Sequence, residues 1–143
     1  MLVRLLYASR SAKPVAPEVI DSILAQSRKH NPELGITGIL CQSGDVFMQV
    51  LEGGRMAVNQ LYNQIVRDER HRDVVVLLHY EETGERRFAG WTMGQVNVAK
   101  VNASLLLKYC ETPDLDPYAM SGKAAMAFLE ELIATAQIIG RSA

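Results

Sequence analysis

Gln49 and Tyr7 are the two residues whose chemistry disagrees with their surroundings. Gln49 lies in the run VFMQVLE, which is apolar on both faces of a strand, so its carboxamide is expected to be buried between Phe47 and Leu51. A buried amide without partners costs about 1–3 kcal/mol, so either an edge of backbone or a neighbouring polar side chain must bond it. Tyr7 sits in the apolar run of residues 2–9. There a buried phenol likewise seeks a partner for its hydroxyl. Two such strands can neighbour each other in one sheet, and then each polar group could satisfy the other. A glutamine carries a donor and an acceptor on one group, so it could serve a phenol in either direction.

Other candidates have ordinary explanations of their own. Asn31 precedes Pro32 and is expected to end a helix there. Asp68, Arg70 and His71 fall at the end of a second helix, where basic groups answer the helix dipole. Trp91 and Met93 are expected to share one face of a fifth strand, as core residues. His30, His71 and His79 have no metal-ligand spacing with one another or with the cysteines. No GxGxxG or Walker phosphate loop occurs. GITG, residues 35–38, matches the GxxG clamp of KH domains in letters only, since it lacks basic flanks and runs straight into an apolar strand.

The totals bound the function classes. The 143 residues suit one domain of ordinary size; 48% are apolar and 22% charged. Fifteen Lys and Arg against sixteen Asp and Glu give a net charge of -1, without the basic excess of a nucleic-acid binder. Cys41 and Cys110 form no CxxC pair and read as reduced thiols. The N-terminal apolar stretch is too short for a signal peptide, and no run approaches a membrane span. A soluble, cytoplasmic protein is expected.

The elements that would hold Tyr7 and Gln49 follow from periodicity. Residues 2–9 form a strand with Val3, Leu5 and Tyr7 on one face and Arg4 and Leu6 on the other. Pro17 opens a helix carrying Val19, Ile20, Ile23 and Leu24, which Pro32 should stop at Asn31. Residues 35–41 and 45–52 read as two strands joined by a turn at Ser43-Gly44. Val58, Leu61, Tyr62, Ile65 and Val66 are the inner stripe of a second helix. Residues 74–80 look like a strand covered on both faces, and residues 87–96 like a fifth strand. The order β-α-β-β-α-β-β predicts an α+β, ferredoxin-like domain: a five-stranded mixed sheet with two helices on one face, making two layers. The first unit would span residues 1–97. Residues 98–143 form a C-terminal helical extension, with a short helix at 103–109 and a last helix whose stripe is Phe128, Leu129, Leu132, Ile133 and Ala136. That stripe is expected to pack back on the sheet, with self-association as the alternative.

Six motifs in order, YASR, SRKHN, GITGIL, FMQVLEG, RDERH and RRFAGWTMG, make the chain resemble the BLUF family, sensors of blue light using FAD. The resemblance covers about residues 2–97. It implies a flavin, FAD with FMN or riboflavin as alternatives, held between the two helices with its ring end-on to the sheet. It implies Tyr7 as electron donor to the photoexcited ring and Gln49 as the bridge between the phenol and the ring. Asn31 would bond the ring's carbonyl edge. Asp68, Arg70 and His71 would approach its polar side, Ile23, Ile36 and Ile65 would wall it, and Arg28 would belong to the same cofactor set. Trp91 and Met93 match the pair that alternates near Gln49 in this family. Further implications are a photoreceptor without enzymatic activity that self-associates and acts through a separate partner, with no nucleic acid or membrane involved.

Two rival classes remain open. An acylphosphatase-like enzyme would share the fold, but residues 9–17, SRSAKPVAP, offer Arg10 without a glycine-rich phosphate cradle. A flavin-free interaction module would not need Tyr7, Asn31 and Gln49 together.

Overall fold

Five strands and four helices account for most of the chain in the computed structural model, which describes residues 1–11, 16–68, 75–135 and 138–140. The strands are β1 (Leu2–Arg10), β2 (Thr37–Ser43), β3 (Val46–Gly54), β4 (Val76–Thr83) and β5 (Gly94–Asn97). They lie in the order β4-β1-β3-β2-β5, antiparallel except that β5 runs parallel to β2. The helices are α1 (Pro17–Leu34), α2 (Arg55–Arg67), α3 (Ala103–Tyr109) and α4 (Gly122–Ile133).

Near-continuous apolar sequence in β1 and β3 reflects their central place, with protein on both faces. Val3, Leu5, Tyr7, Phe47 and Leu51 meet Ile20, Ile23 and Leu24 of α1 and Val58 of α2. On the reverse face Leu6, Ile39, Cys41, Met48, Val50 and Val96 meet Leu106 of α3 and Phe128, Leu129 and Leu132 of α4. The domain therefore has three layers rather than two. Each fully buried Phe or Leu of α4 contributes about 1.5–3 kcal/mol, enough to hold the C-terminal helix on the sheet, as its stripe predicts. Ala136 lies outside the described residues.

Three other expectations change. The strand expected at 74–80 is not covered on both faces where it is described (Val74 lies outside the described residues): β4 is an edge strand, with Leu77 and Tyr80 about half exposed. Apolar composition alone does not distinguish a buried strand from an edge whose neighbours stop short of it. Pro32 does not stop α1 at Asn31 but sits within its last turn. Gly35 is the true terminator: it takes a left-handed φ of 67°. The Ile36 amide then donates back to the Asn31 carbonyl at 2.9 Å. Finally, β5 begins only at Gly94, so Trp91 and Met93 belong to the loop before it.

After α4 the chain returns to the sheet. Ile139 forms an antiparallel bridge with Gln95 on the outer edge of β5. No helix among the described residues is long and apolar enough to cross a membrane.

Candidate functional site

Antiparallel pairing sets Tyr7 directly opposite Gln49 across β1 and β3, and Leu40 opposite Gln49 across β2 and β3. Tyr7 and Gln49 thus share the face covered by α1 and α2, Tyr7 fully buried and Gln49 4% exposed. The phenol hydroxyl donates to Gln49 Oε1. Gln49 Nε2 in turn donates to the sulfur of Met93 at 3.2 Å. Every partner in this chain of three is buried. A phenol that donates obliges the amide to present its oxygen, which sends the amide nitrogen toward the thioether, a weak acceptor. Burial raises the Tyr7 phenol well above its ordinary value, with Tyr62 and Asp68 adding to the rise. The Tyr62 ring lies 5.6 Å from that of Tyr7.

Above this pair, a cavity of about 410 Å³ opens between α1 and α2. Ile23, Gln26, Ser27, His30, Asn31, Glu33 and Leu34 line it from α1, and Leu61, Gln64, Ile65 and Asp68 from α2 and its end. Gln49 is its contribution from the sheet. Five expected residues, Ile23, Asn31, Gln49, Ile65 and Asp68, are therefore brought together. Ile36 is buried in the adjoining core rather than in the lining. Arg70 and His71 lie outside the described residues. Not foreseen as site residues are Gln26, Ser27, His30, Glu33, Leu34, Leu61 and Gln64. Gln26, Ser27 and His30 follow Ile23 by three, four and seven residues and Leu61 precedes Ile65 by four, so helical periodicity could have found these four; it could not have found Gln64, which adjoins Ile65.

The loop between β4 and β5 is fastened from two directions. Three successive carbonyls of Trp91, Thr92 and Met93 accept from the Gly38 amide at 3.0 Å, the Asn31 side-chain nitrogen at 3.2 Å and Arg28 at 3.3 Å. Trp91 and Met93 do not share a face. Met93 packs on the Tyr7 side, whereas Trp91 packs on the reverse side, its ring 6.5 Å from that of Phe88. An irregular loop frees the chain from the strict alternation of a strand, which is why the expectation of a common face failed.

Unforeseen at the other end of this loop is a buried ion pair. Glu52, fully buried, accepts from Arg4 Nε at 2.8 Å and from the Arg87 and Phe88 amides at 2.7 Å each. Arg4 also donates to Glu81 and to the Glu85 carbonyl. Arg4 and Glu52 are register partners across β1 and β3, so the pair was readable only once the register was known.

The cavity suits the flavin that the resemblance implies. Ile23, Leu61 and Ile65 offer apolar walls for a flat aromatic ring system, and the amides of Gln26, Asn31, Gln49 and Gln64 offer donors and acceptors for its polar edges. The buried amide nitrogen of Gln49, given only a thioether, retains donor capacity toward the cavity it lines.

A family model described as sensors of blue-light using FAD, BLUF, matches residues 2–94. The photoactivated adenylate cyclase subunit beta of Euglena longa is 36% identical over 93 residues, 64% of this chain but 11% of that protein. The blue light- and temperature-regulated antirepressor BluF of Escherichia coli (strain K12) is 33% identical over 78 residues, 53% of this chain and 19% of the antirepressor. The chain thus spans a small fraction of these curated relatives. Among solved structures, the photo-activated state of BlsA superposes with a TM-score of 0.82 at 29% identity, covering 96% of this chain and 98% of that one. The dark-state structure of BlrB, a BLUF protein, superposes with a TM-score of 0.73 at 36% identity, covering 93% and 95%. With the family matched across both strands of the Tyr7–Gln49 pair and both helices of the cavity, the chain belongs to the BLUF family of blue-light sensors that use FAD.

Proposed function

We propose that this chain is a blue-light photoreceptor, without enzymatic activity of its own, in which Tyr7, Gln49 and Met93 convert light absorption into movement of the β4–β5 loop. The observation that carries the reading is the buried sequence of hydrogen bonds from Tyr7 through Gln49 to Met93 beneath the cavity. When bound, photoexcited FAD supplies an electron acceptor of the strength needed to oxidise a phenol.

Tyr7 would be the electron donor to that acceptor, and its hydroxyl proton would pass to the Gln49 oxygen that it already touches. Their return restores the phenol and leaves the amide rotated or tautomerised. A rotated amide presents its nitrogen to Tyr7 and its oxygen away from it. Met93 then loses its donor and faces an oxygen instead. Asn31, Asp68, Ile23 and Ile65, which line the cavity, would hold the ring in place, and Arg70 and His71 are proposed to join them with Ile36 in support.

From Met93 the change passes to β5, whose first residue follows it directly, and on to the C-terminal helices packed behind the sheet. Output is proposed to go to a separate partner protein, with self-association of the chain; nucleic acid and membrane play no part. We assign residues 1–97 as the sensor and 98–143 as its transmitting extension, in a cytoplasmic setting.

The test is an absorption spectrum of the purified protein with FAD, in darkness and under blue light. A flavin spectrum that shifts slightly to the red and relaxes in darkness is the expected result. A colourless protein that refuses added flavin would overturn the reading and favour an interaction module.

A further inference from the structure

The outer edge of β5 is covered, at one point, by the end of the chain itself. Gln95 and Ile139 exchange two backbone hydrogen bonds of 2.9 Å each. Gly94 makes room for this contact. A Cβ there would stand 2.7 Å from Ile138 Cγ2 and 2.8 Å from Trp91 Cδ1, so the bare backbone lets Ile138 and Trp91 converge on it. On the other side, Arg28 of α1 donates to the Met93 carbonyl, and the same guanidinium nitrogen lies 2.6 Å from where a Cβ on Gly140 would be. Gly140 has φ 89°, a conformation that glycine adopts without strain. Arg28 therefore bonds the residue held by Gln49 and lies beside Gly140 of the terminal segment.

We propose that residues 138–140 form a strap, seated on the edge of β5 in darkness beside Arg28, that is released when Gln49 lets go of Met93. The inference rests on the reading of Gln49 and Met93 given above. Its energetics suit a switch. Only two backbone hydrogen bonds attach it, and Ile139 is 56% exposed, so apolar burial adds little beyond Ile138. A contact this weak is displaced by a small rearrangement at Met93 and Trp91. Release would expose the Gln95 N–H and C=O on a sheet edge, and an unpaired edge is a template for another extended segment. The edge of β5 is thus a strand-docking surface whose occupant in darkness is the chain's own terminal segment.

Residue-level amide hydrogen exchange on the full FAD-bound chain tests this, in darkness and under continuous blue light. The Gln95 and Ile139 amides should be protected in darkness and exchange about ten-fold faster or more in the light. Equal protection in both states, in a sample whose absorption shifts to the red, overturns the strap and leaves the photoreceptor standing. A sample with no red shift overturns the reading beneath it. Ile138→Ser, which removes the contact over Gly94, should give fast exchange at both amides already in darkness with the red shift retained. Dark protection in that variant contradicts the proposal.

Discussion

Gln49 and Met93 are joined by a 3.2 Å hydrogen bond from an amide nitrogen to a thioether sulfur, at the point where the sheet meets the loop leading to β5. It is the weakest link of the buried chain that leads from Tyr7 to the loop. Leucine has nearly the volume of methionine but accepts no hydrogen bond. Met93→Leu should therefore cost less than about 1.5 kcal/mol of stability. It should keep the red shift, which needs only Tyr7 and Gln49, yet suppress most of the light-induced change in the sheet's amide infrared bands. Full amide changes in that variant would show that the signal takes another route.

Titration of Tyr7 gives a second test. Burial raises the folded phenol above the free value of 10.0, so above that pH the unfolded chain binds fewer protons than the folded one. The stability this group contributes is complete below pH 10.0 and falls as pH rises toward the folded value, by up to about 1.4 kcal/mol per pH unit. Tyr7→Phe lacks this term. The melting temperature of the unaltered protein should fall more than that of Tyr7→Phe between about pH 8 and about pH 11, as calorimetry at both values would show.

Glu52 holds the start of the same loop. Glu52→Ala takes the buried carboxylate from Arg4, leaving it Glu81 and the Glu85 carbonyl, and orphans the amides of Arg87 and Phe88. Breaking one side of a buried pair costs about 3–5 kcal/mol, a fall in melting temperature on the order of 10 °C for a chain of this size. Trp91 fluorescence should change with it, because the loop carrying that ring has lost its anchor. A melting temperature within about 2 °C of the unaltered protein would mean that the pair carries little of the load.

Much of this was legible in the residues themselves. Tyr7 and Gln49 announce themselves because a phenol and an amide lie in strands otherwise filled with Val, Leu and Phe, and period-two alternation puts Tyr7 on the face with Val3 and Leu5. The helices were readable from their stripes, and α4 docks through the Phe128, Leu129 and Leu132 that the stripe contains. What escaped depended on register or on irregular backbone. Arg4 and Glu52 are 48 residues apart and meet only because β1 and β3 pair as they do. Trp91 and Met93 diverge because they precede β5, and no periodicity governs a loop. The cavity-lining Gln26, His30 and Gln64 look like solvated helix residues until the second helix faces them.

The central claim is that the Gln49 amide is the element that light rearranges. Light-minus-dark absorption of the FAD-bound Gln49→Leu variant, beside the unaltered protein, tests it most directly. The account predicts that the variant binds FAD, since the apolar walls and Asn31 remain, and shows no red shift after blue light. A red shift of normal size and normal decay in Gln49→Leu would contradict it.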